Sequence, residues 1–541
     1  MCIPKINIFH LILLICACVL CYINSVSNPF IWDDEVLIVH NTLIRDWRNI
    51  PRFFSHTAWP TDFSNFYRPL QLVSYTLDYS FWKLNPVGYH ITNVLLHTLN
   101  VILVYVLLFL VLRHASASFV GSLLFAVHPL HTEAVTYISG RADLLVSFFI
   151  LIFFIMYILL WGNHHKIVIF FLLVFSYCCA LWSKEIALIV PVMVLLWHVF
   201  LYRKEGRFVL FWSLMSTGGI TLFYYVWRLH TVTIQSFDIY AFSFIERLEV
   251  VIQSFALYCM LVIAPFRLHM EYIIMPPSSI LNPFFLISCI VVICFLILLI
   301  VVLKRSTIGT VALLWFISMV LPTLNFIPLN ATFAEHWMYL PFIGLSLGIG
   351  AVIMNADRVL SRNIIIGIVV FFTLFFSMRT IIRNKDWQDP IRFYKKTLRL
   401  SPHNIKVLYN LGIAYIKANE MDEALIRFGE IIRIVKQEKL ITKGPGSQFL
   451  LKRLLTKTYN NMGYAYAMKE AYEKALYCYQ KSVQLTPNQE LSHLNIALLY
   501  RKMGNMEKAR EEYKMVLSLD PNNKKAQMGL ETLDNQELIQ K

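Results

Sequence analysis

Eleven stretches of this chain are apolar over about the length that crosses a bilayer, and that leaves few folds open to it. They lie near residues 8 to 26, 91 to 112, 117 to 136, 143 to 161, 166 to 182, 185 to 202, 208 to 227, 282 to 303, 308 to 328, 337 to 355 and 363 to 380. Runs of that length repeated so often imply an all-α, polytopic membrane domain, because lipid offers no partner to an unpaired backbone amide. Composition agrees: of 541 residues 57% are hydrophobic and only 15% charged, which excludes an ordinary soluble domain. The first run, preceded by Lys5, has some features of a signal peptide. It is long and shows no clear small-residue cleavage site, so it reads as a retained span. The ten cysteines fall mostly inside apolar runs, with neither metal-ligand nor disulfide spacing, and read as packing residues.

Arg113, Lys166, the group Arg203, Lys204 and Arg207, the pair Lys304 and Arg305, and Arg358 with Arg362 all sit in short loops that the positive-inside rule makes cytoplasmic. A twelfth apolar candidate, 248 to 265, is short and contains Gln253. Those loops share one side only if this segment does not cross, so it should be re-entrant or interfacial, with everything after residue 380 extracytoplasmic. Arg379 and Arg383, just past the last run, argue mildly the other way.

The opposite face collects the unusual polar residues. Within the first outer loop, 28 to 90, the stretch FIWDDEVLIVHN sets Asp33, Asp34 and Glu35 directly after the first span, and Arg68 and His90 follow. Adjacent carboxylates repel, and partial burial disfavours their charge, so one of them can be tuned towards a general base; a solvated, helix-capping turn is the plain alternative. The next outer loop supplies His128, His131, Glu133, Arg141 and Asp143, and the following one Lys184 and Glu185. Later segments add Arg228 with His230, Arg267 with His269 and Glu271, and Glu335, His336 and Tyr339. Taken singly, each has a plain reading as an interfacial histidine or snorkelling pair. Gathered on one face, they point to a cavity. HPLHTE lacks the H-E-x-x-H arrangement of a metalloprotease, and no phosphate loop, serine elbow or dinucleotide fingerprint appears. What remains suits a carboxylate taking a proton while Arg141, Lys184 or Arg267 receives a departing phosphate. No cofactor or metal is required, although an acidic pair can bind a divalent ion. The formal charge of +15 points to anionic lipid or lipid phosphate as partner; no basic face or motif accompanies it that would indicate nucleic acid.

After residue 383 the composition becomes that of a soluble helical domain, 384 to 541, with a period of 34. Gly463, Tyr466, Ala475, Tyr479 and Pro487 recur as Ala497, Tyr500, Ala509, Tyr513 and Pro521, and Gly412, Tyr415, Ala424 and Phe428 fit the same frame. These are the positions of a tetratricopeptide repeat. A partial repeat (Phe393, Tyr394, Pro402) precedes it, the segment 436 to 453 reads as an elongated helix end with a loop, and 523 to 538 as a capping helix. Such an α-solenoid presents a groove for an extended or helical peptide.

WDDE, YRPL, GYHITNVLLH, HPLHTEAVTYISGRADLL, SKEIAL and EHWMYLP, followed by these repeats, resemble the transmembrane and tetratricopeptide-repeat-containing O-mannosyltransferases and their bacterial homologues, which are GT-C membrane glycosyltransferases. The resemblance covers essentially the whole chain. It implies a polyprenyl-phosphate sugar donor, mannose in the characterised members, transferred with inversion to Ser or Thr hydroxyls of an extracytoplasmic protein held by the repeats. It also implies that the acidic pair of the first loop carries the catalytic carboxylate, with Asp34 favoured as base and Asp33 and Glu35 in support. The compartment is then the bacterial inner membrane or, in a eukaryote, the endoplasmic reticulum. Transfer to a lipid or glycan is the alternative within the same fold; a non-catalytic membrane scaffold is the alternative outside it.

Overall fold

The computed structural model describes residues 6–55, 66–161, 166–202, 207–232, 242–329, 331–356, 362–437 and 445–540. The chain divides into two compact units, one of Met1–Gln235 and Ser243–Phe393, the other of Ser236–Phe242 and Tyr394–Lys541. The expected boundary after residue 383 moves to Phe393. The cause is aromatic: Trp387 stacks on Tyr137, with ring centroids 5.4 Å apart, and Phe393 packs on Trp387 at 4.5 Å, which keeps the segment after the last span with the first unit.

The regular structure of the first unit is helical among its described residues, apart from one isolated bridge, Tyr272 to Phe333. Its α-helices are α1 (Ile8–Tyr22), α2 (Ile50–Ser55), α3 (Pro69–Trp82), α4 (Pro86–Leu112), α5 (Ala115–Val127), α6 (Thr132–Val135), α7 (Arg141–Leu159), α8 (Lys166–Ser183), α9 (Val190–Trp197), α10 (Arg207–Thr231), α11 (Phe244–Ile263), α12 (Pro283–Arg305), α13 (Thr307–Val320), α14 (Pro341–Ala356) and α15 (Arg362–Asn384). Local chemistry starts them. Asn85 caps α4 by accepting from Val87 N–H ahead of Pro86, Asn282 does the same for α12 ahead of Pro283, and Ser243 with Glu246 forms a reciprocal capping box on α11.

Among the described residues seven helical segments are long and apolar enough to cross a membrane, and four shorter apolar ones fall at Ala115–Val127, Glu185–Leu201, Thr307–Thr323 and Pro341–Asn355. Together they coincide with the runs read from the sequence. The chain is a membrane protein. Each shorter helix abuts a 3₁₀ turn: Pro129–His131 after α5, Glu185–Ile189 before α9, Leu321–Thr323 after α13 and Glu335–Met338 before α14. Irregular backbone of this kind persists near lipid only where protein covers it, and His128, His131, Glu133, Lys184, Glu185, Glu335, His336 and Tyr339 lie in or beside these turns. The expected run 117 to 136 is thus a helix that stops at Val127, because Pro129 cannot continue it.

The ambiguous segment 248 to 265 belongs to α11, which is not among the apolar helices. Hydrogen bonds along its length reach loop residues: Arg247 to Asn325 O, Gln253 to Met275 O, Tyr258 to Ala334 O, and His128 on Val262 O. Those bonds tie α11 to the loops beside it.

The second unit pairs helices in sequence: α16 (Pro390–Leu400), which begins before the boundary, then α17 (Ile405–Lys417), α18 (Met421–Gln437), α19 (Pro445–Met468), α20 (Tyr472–Leu485), α21 (Glu490–Lys502), α22 (Met506–Leu519) and α23 (Lys524–Gln540). This is a tetratricopeptide α-solenoid closed by a terminal helix. α19, at 24 residues, contains the expected elongation; 438–444 lie outside the described residues. The repeat frame has a packing reason. Gly412 faces the Phe428 ring and Gly463 the Tyr479 ring, where an added Cβ at Gly463 would lie 2.5 Å from a ring carbon. Gly463→Val should therefore destabilise the solenoid by about 1–3 kcal/mol, with α19 and α20 becoming protease-sensitive at a lower temperature than the membrane unit. Unchanged protease resistance would mean that the pair does not depend on this approach.

Candidate active site

The chain leaves α1 through a 3₁₀ turn, Ile23–Ser25, and reverses at Trp32, whose φ of 59° is unusual for a bulky residue. That reversal sends the next two carboxylates different ways. Asp34 is buried: its Oδ1 accepts from Ser139 N–H at 2.9 Å and Ser139 Oγ at 2.5 Å, and its Oδ2 accepts from Ile31 N–H at 3.1 Å. Burial pushes its carboxyl up to about 7, the hydrogen bonds from Ser139 and Ile31 pull it back, and the neighbouring Asp33 adds to the rise. Asp33 is exposed, with its backbone N–H donating to the Tyr137 hydroxyl at 3.1 Å. Glu35 opens a π-helical turn, Glu35–Val39, and lies 3.6 Å from His40.

This geometry tells the two neighbouring acids apart. Asp34, held by Ser139 and Ile31, fixes the loop, and Asp33 is the acid that faces outward. Ser139 went unnoticed in the sequence, although it stands beside Gly140 in the S-G-R turn. A Cβ on Gly140 would lie 2.6 Å from Glu133 O and 2.7 Å from Ala134 O, so glycine there lets the turn close under the acid loop.

A cationic cluster lies across the first turn of α3. Gln71 Nε2 donates to Ser139 O at 3.0 Å, and three residues earlier, about 5 Å along the helix, Arg68 donates to Glu185 at 3.1 and 3.3 Å. Arg228 approaches the other oxygen of Glu185 at 3.9 Å, and Lys184 Nζ holds both oxygens of Asp143, at 2.6 and 2.8 Å. Burial lowers the Lys184 ammonium and Asp143 opposes that shift. Arg68, Lys184 and Arg228 thus gather beside Glu185 and Asp143, and cations held this way can stabilise an anion that develops next to them. Among the described residues no group of three or more His, Cys, Asp or Glu side chains is arranged to hold a metal ion.

Arg141 and Arg267 do not join this cluster. The Arg141 guanidinium is fully buried, 2.5 Å from Asp78, and it donates at 2.8 Å to both Asn93 Oδ1 and Tyr89 O, over the Tyr75 ring at 4.8 Å. It locks α3, α4 and α7 together instead of meeting a phosphate. Arg267 is exposed in the loop after α11, and its carbonyl lies 3.2 Å from Tyr272 Oη, which donates to Glu335 at 2.7 Å.

The remaining candidates form a second set. His90 lies buried with its Nε2 3.0 Å from Asn28 O, His128 pairs with Val262 O at 3.0 Å, and His131 packs among Phe125, Tyr339 and Phe342. These three are packing histidines. Glu133 accepts from His336 N–H at 3.0 Å and meets its Nδ1 at 2.8 Å; burial opposes the charge on Glu133, but His336 outweighs it and the carboxyl lies below its ordinary value. Glu335 accepts from His269 N–H at 2.6 Å and Tyr272 Oη at 2.7 Å, and burial pushes it up to about 7 against the pull of Arg383. Below them Asn384 clasps the two ends of the unit: its Nδ2 donates to Cys21 O and Asn24 Oδ1, both at 2.8 Å, and its Oδ1 accepts from Thr136 at 2.7 Å.

A TPR repeat family model matches residues 463–504, and a tetratricopeptide repeat model matches residues 491–523. A protein O-mannosyl-transferase of Drosophila melanogaster is 24% identical over 95% of this chain and 64% of its own length, and one of Caenorhabditis elegans is 25% identical over 75% and 60%. A human protein O-mannosyl-transferase is 35% identical over 27% of this chain and 16% of its own. The chain resembles the protein O-mannosyl-transferases. It spans about three fifths of the length of the two relatives that it matches over most of its own residues.

Proposed function

We propose that this protein transfers mannose, with inversion, from a polyprenyl-phosphate donor to Ser or Thr hydroxyls of a protein on the extracytoplasmic face, in a eukaryote the lumen of the endoplasmic reticulum. What supports the reading is the pairing of an exposed carboxylate, Asp33, anchored through buried Asp34, with the cluster of Arg68, Lys184 and Arg228 across the first turn of α3. The names of the relatives bring in mannose and a protein acceptor.

In this reading Asp33 takes the proton of the acceptor hydroxyl as its oxygen bonds to the anomeric carbon. The bond from that carbon to the phosphate oxygen breaks, and its electron pair leaves with the lipid phosphate. The cations stabilise the charge that develops there, which is where preorganised charge contributes most. Attack from the face opposite the departing phosphate inverts the anomeric centre.

Purified protein in detergent, supplied with polyprenyl-phosphate mannose, should mannosylate a Ser/Thr-bearing protein with the anomeric configuration inverted in the product. Transfer only to lipid or glycan would replace the acceptor; retention, or no turnover of the donor, would overturn the reaction.

A further inference from the structure

Two of the cations beside Glu185 come from short pieces of chain in which the arginine follows an aromatic residue: Tyr67 precedes Arg68, and Trp227 precedes Arg228. The two aromatics are bonded to each other. Trp227 Nε1 donates to Tyr67 Oη at 3.1 Å and to Phe54 O at 3.0 Å, and Tyr67 Oη itself donates to Phe54 O at 2.7 Å. At its other end Tyr67 reaches the cluster, its backbone N–H donating to Glu185 Oε1 at 3.5 Å.

A tryptophan in the last turn of a span ordinarily anchors at the membrane interface, its ring lying among the head groups. The N–H of Trp227 is committed to protein instead, which fixes the plane of the indole. Packing does not use up its faces: Trp227 remains 40% exposed, whereas Tyr67 and Tyr224 beneath it are buried against each other. Phe223, one turn earlier on α10, lies nearly parallel to it, at 19° with centroids 6.2 Å apart, and is exposed as well.

We propose that the Trp227 indole is the platform on which the sugar of the donor stacks while its phosphate meets Arg228 and Arg68. A glycosyl phosphate joins an anion to a ring through one oxygen, so a place made for it needs a cation and a flat apolar face side by side. A phosphate alone needs only the first, and a prenyl chain only the second. The pyranose face that presents its C–H bonds is weakly positive, and the indole face is the negative part of the ring quadrupole. An indole already fixed by hydrogen bonds adds little ordering cost on binding.

The identity of the ligand rests on the proposed reaction, but the stacking requires no turnover. Full-length protein in detergent is titrated with polyprenyl-phosphate mannose and, separately, with sugar-free polyprenyl phosphate, each read by displacement of radiolabelled polyprenyl phosphate. The unaltered protein should prefer the mannose-bearing lipid, and Trp227→Leu should weaken that lipid about three- to tenfold with the sugar-free lipid unchanged. Trp227→Phe keeps an aromatic face and should restore most of the loss. In both variants Tyr67 keeps its bond to Phe54 O, so the melting temperature should hold. Arg228→Gln should weaken both lipids. Equal loss of both lipids in Trp227→Leu would make Trp227 a prenyl contact, and loss of neither would make it an interfacial anchor; either overturns the proposal. Equal loss in Trp227→Leu and Trp227→Phe would make it a packing residue and overturn it too. Failure of the reaction itself would show differently, as no mannosyl transfer by an unaltered protein that still prefers the mannose-bearing lipid.

Discussion

Asp33→Asn should lower mannosyl transfer about 10²- to 10⁴-fold, the span usual for loss of a general base, with donor binding close to that of the unaltered protein. The substitution keeps the shape of an exposed side chain and leaves the Asp33 backbone bond to Tyr137 in place, so the fold should not suffer. Asp34→Asn should behave differently. Its amide would oppose a backbone N–H, Ile31 or Ser139, so the loop should loosen, and activity and stability should fall together.

The two carboxylates also separate by pH. Asp34 holds its proton to about 7 in the folded chain, against an ordinary value of 3.8. Below the ordinary value both folded and unfolded chains carry the proton. As pH rises through about 7 the folded chain must release it too, and the stability that protonated Asp34 contributes at low pH is lost. The melting temperature should accordingly drop between roughly pH 4 and 7, and Asp34→Asn should flatten that slope, while Asp33→Asn, which removes only the smaller push of the neighbouring charge, should reduce it slightly. Full transfer by Asp33→Asn, with loss confined to Asp34→Asn, would return the base to Asp34.

Arg141→Met should cost about 3–5 kcal/mol of stability, because it strands the Asp78 carboxylate in a site from which water is excluded. Asp78→Asn should cost a similar amount from the other side. Replacing both by apolar residues should recover much of the loss, since an ion pair of this kind contributes less than the penalty for breaking it. A phosphate contact behaves otherwise. Arg228→Gln, at the edge of the cation cluster, should raise the apparent KM for donor with the melting temperature unchanged. If Arg141→Met folds normally and loses donor affinity, Arg141 belongs with the phosphate after all.

Helices were legible in the sequence because bilayer length and a 34-residue period are statements about one face at a time. The apolar runs therefore fall on helices, and Gly463 with Tyr479 falls on a real contact. The site was legible only as a set of residue types. Asp33 and Asp34 are neighbours in sequence and look interchangeable; a left-handed Trp32 and a serine more than a hundred residues away decide which one is buried. Arg141 and Lys184 likewise look equivalent as cations. Asp78, an unremarked acid midway along α3, takes up Arg141 and leaves Lys184 beside Asp143 and the Glu185 cluster. Pairings across helices have no local signature, which is also why Gln71, Ser139 and Asn384 drew no attention.

The Asn384 clasp has a further consequence, which is one of parity. Cys21 and Asn24 mark the C-terminal end of α1, and Ile381, whose carbonyl accepts from Asn24 at 2.9 Å, and Asn384 mark that of α15. Two helices joined at their C-terminal ends run in the same direction. A chain whose first and last spans point the same way has crossed the bilayer an odd number of times, whatever happens between them. If both helices cross, eleven spans satisfy that parity and twelve do not, and a reporter fused after residue 400 should then lie on the side of the membrane opposite one fused before residue 8.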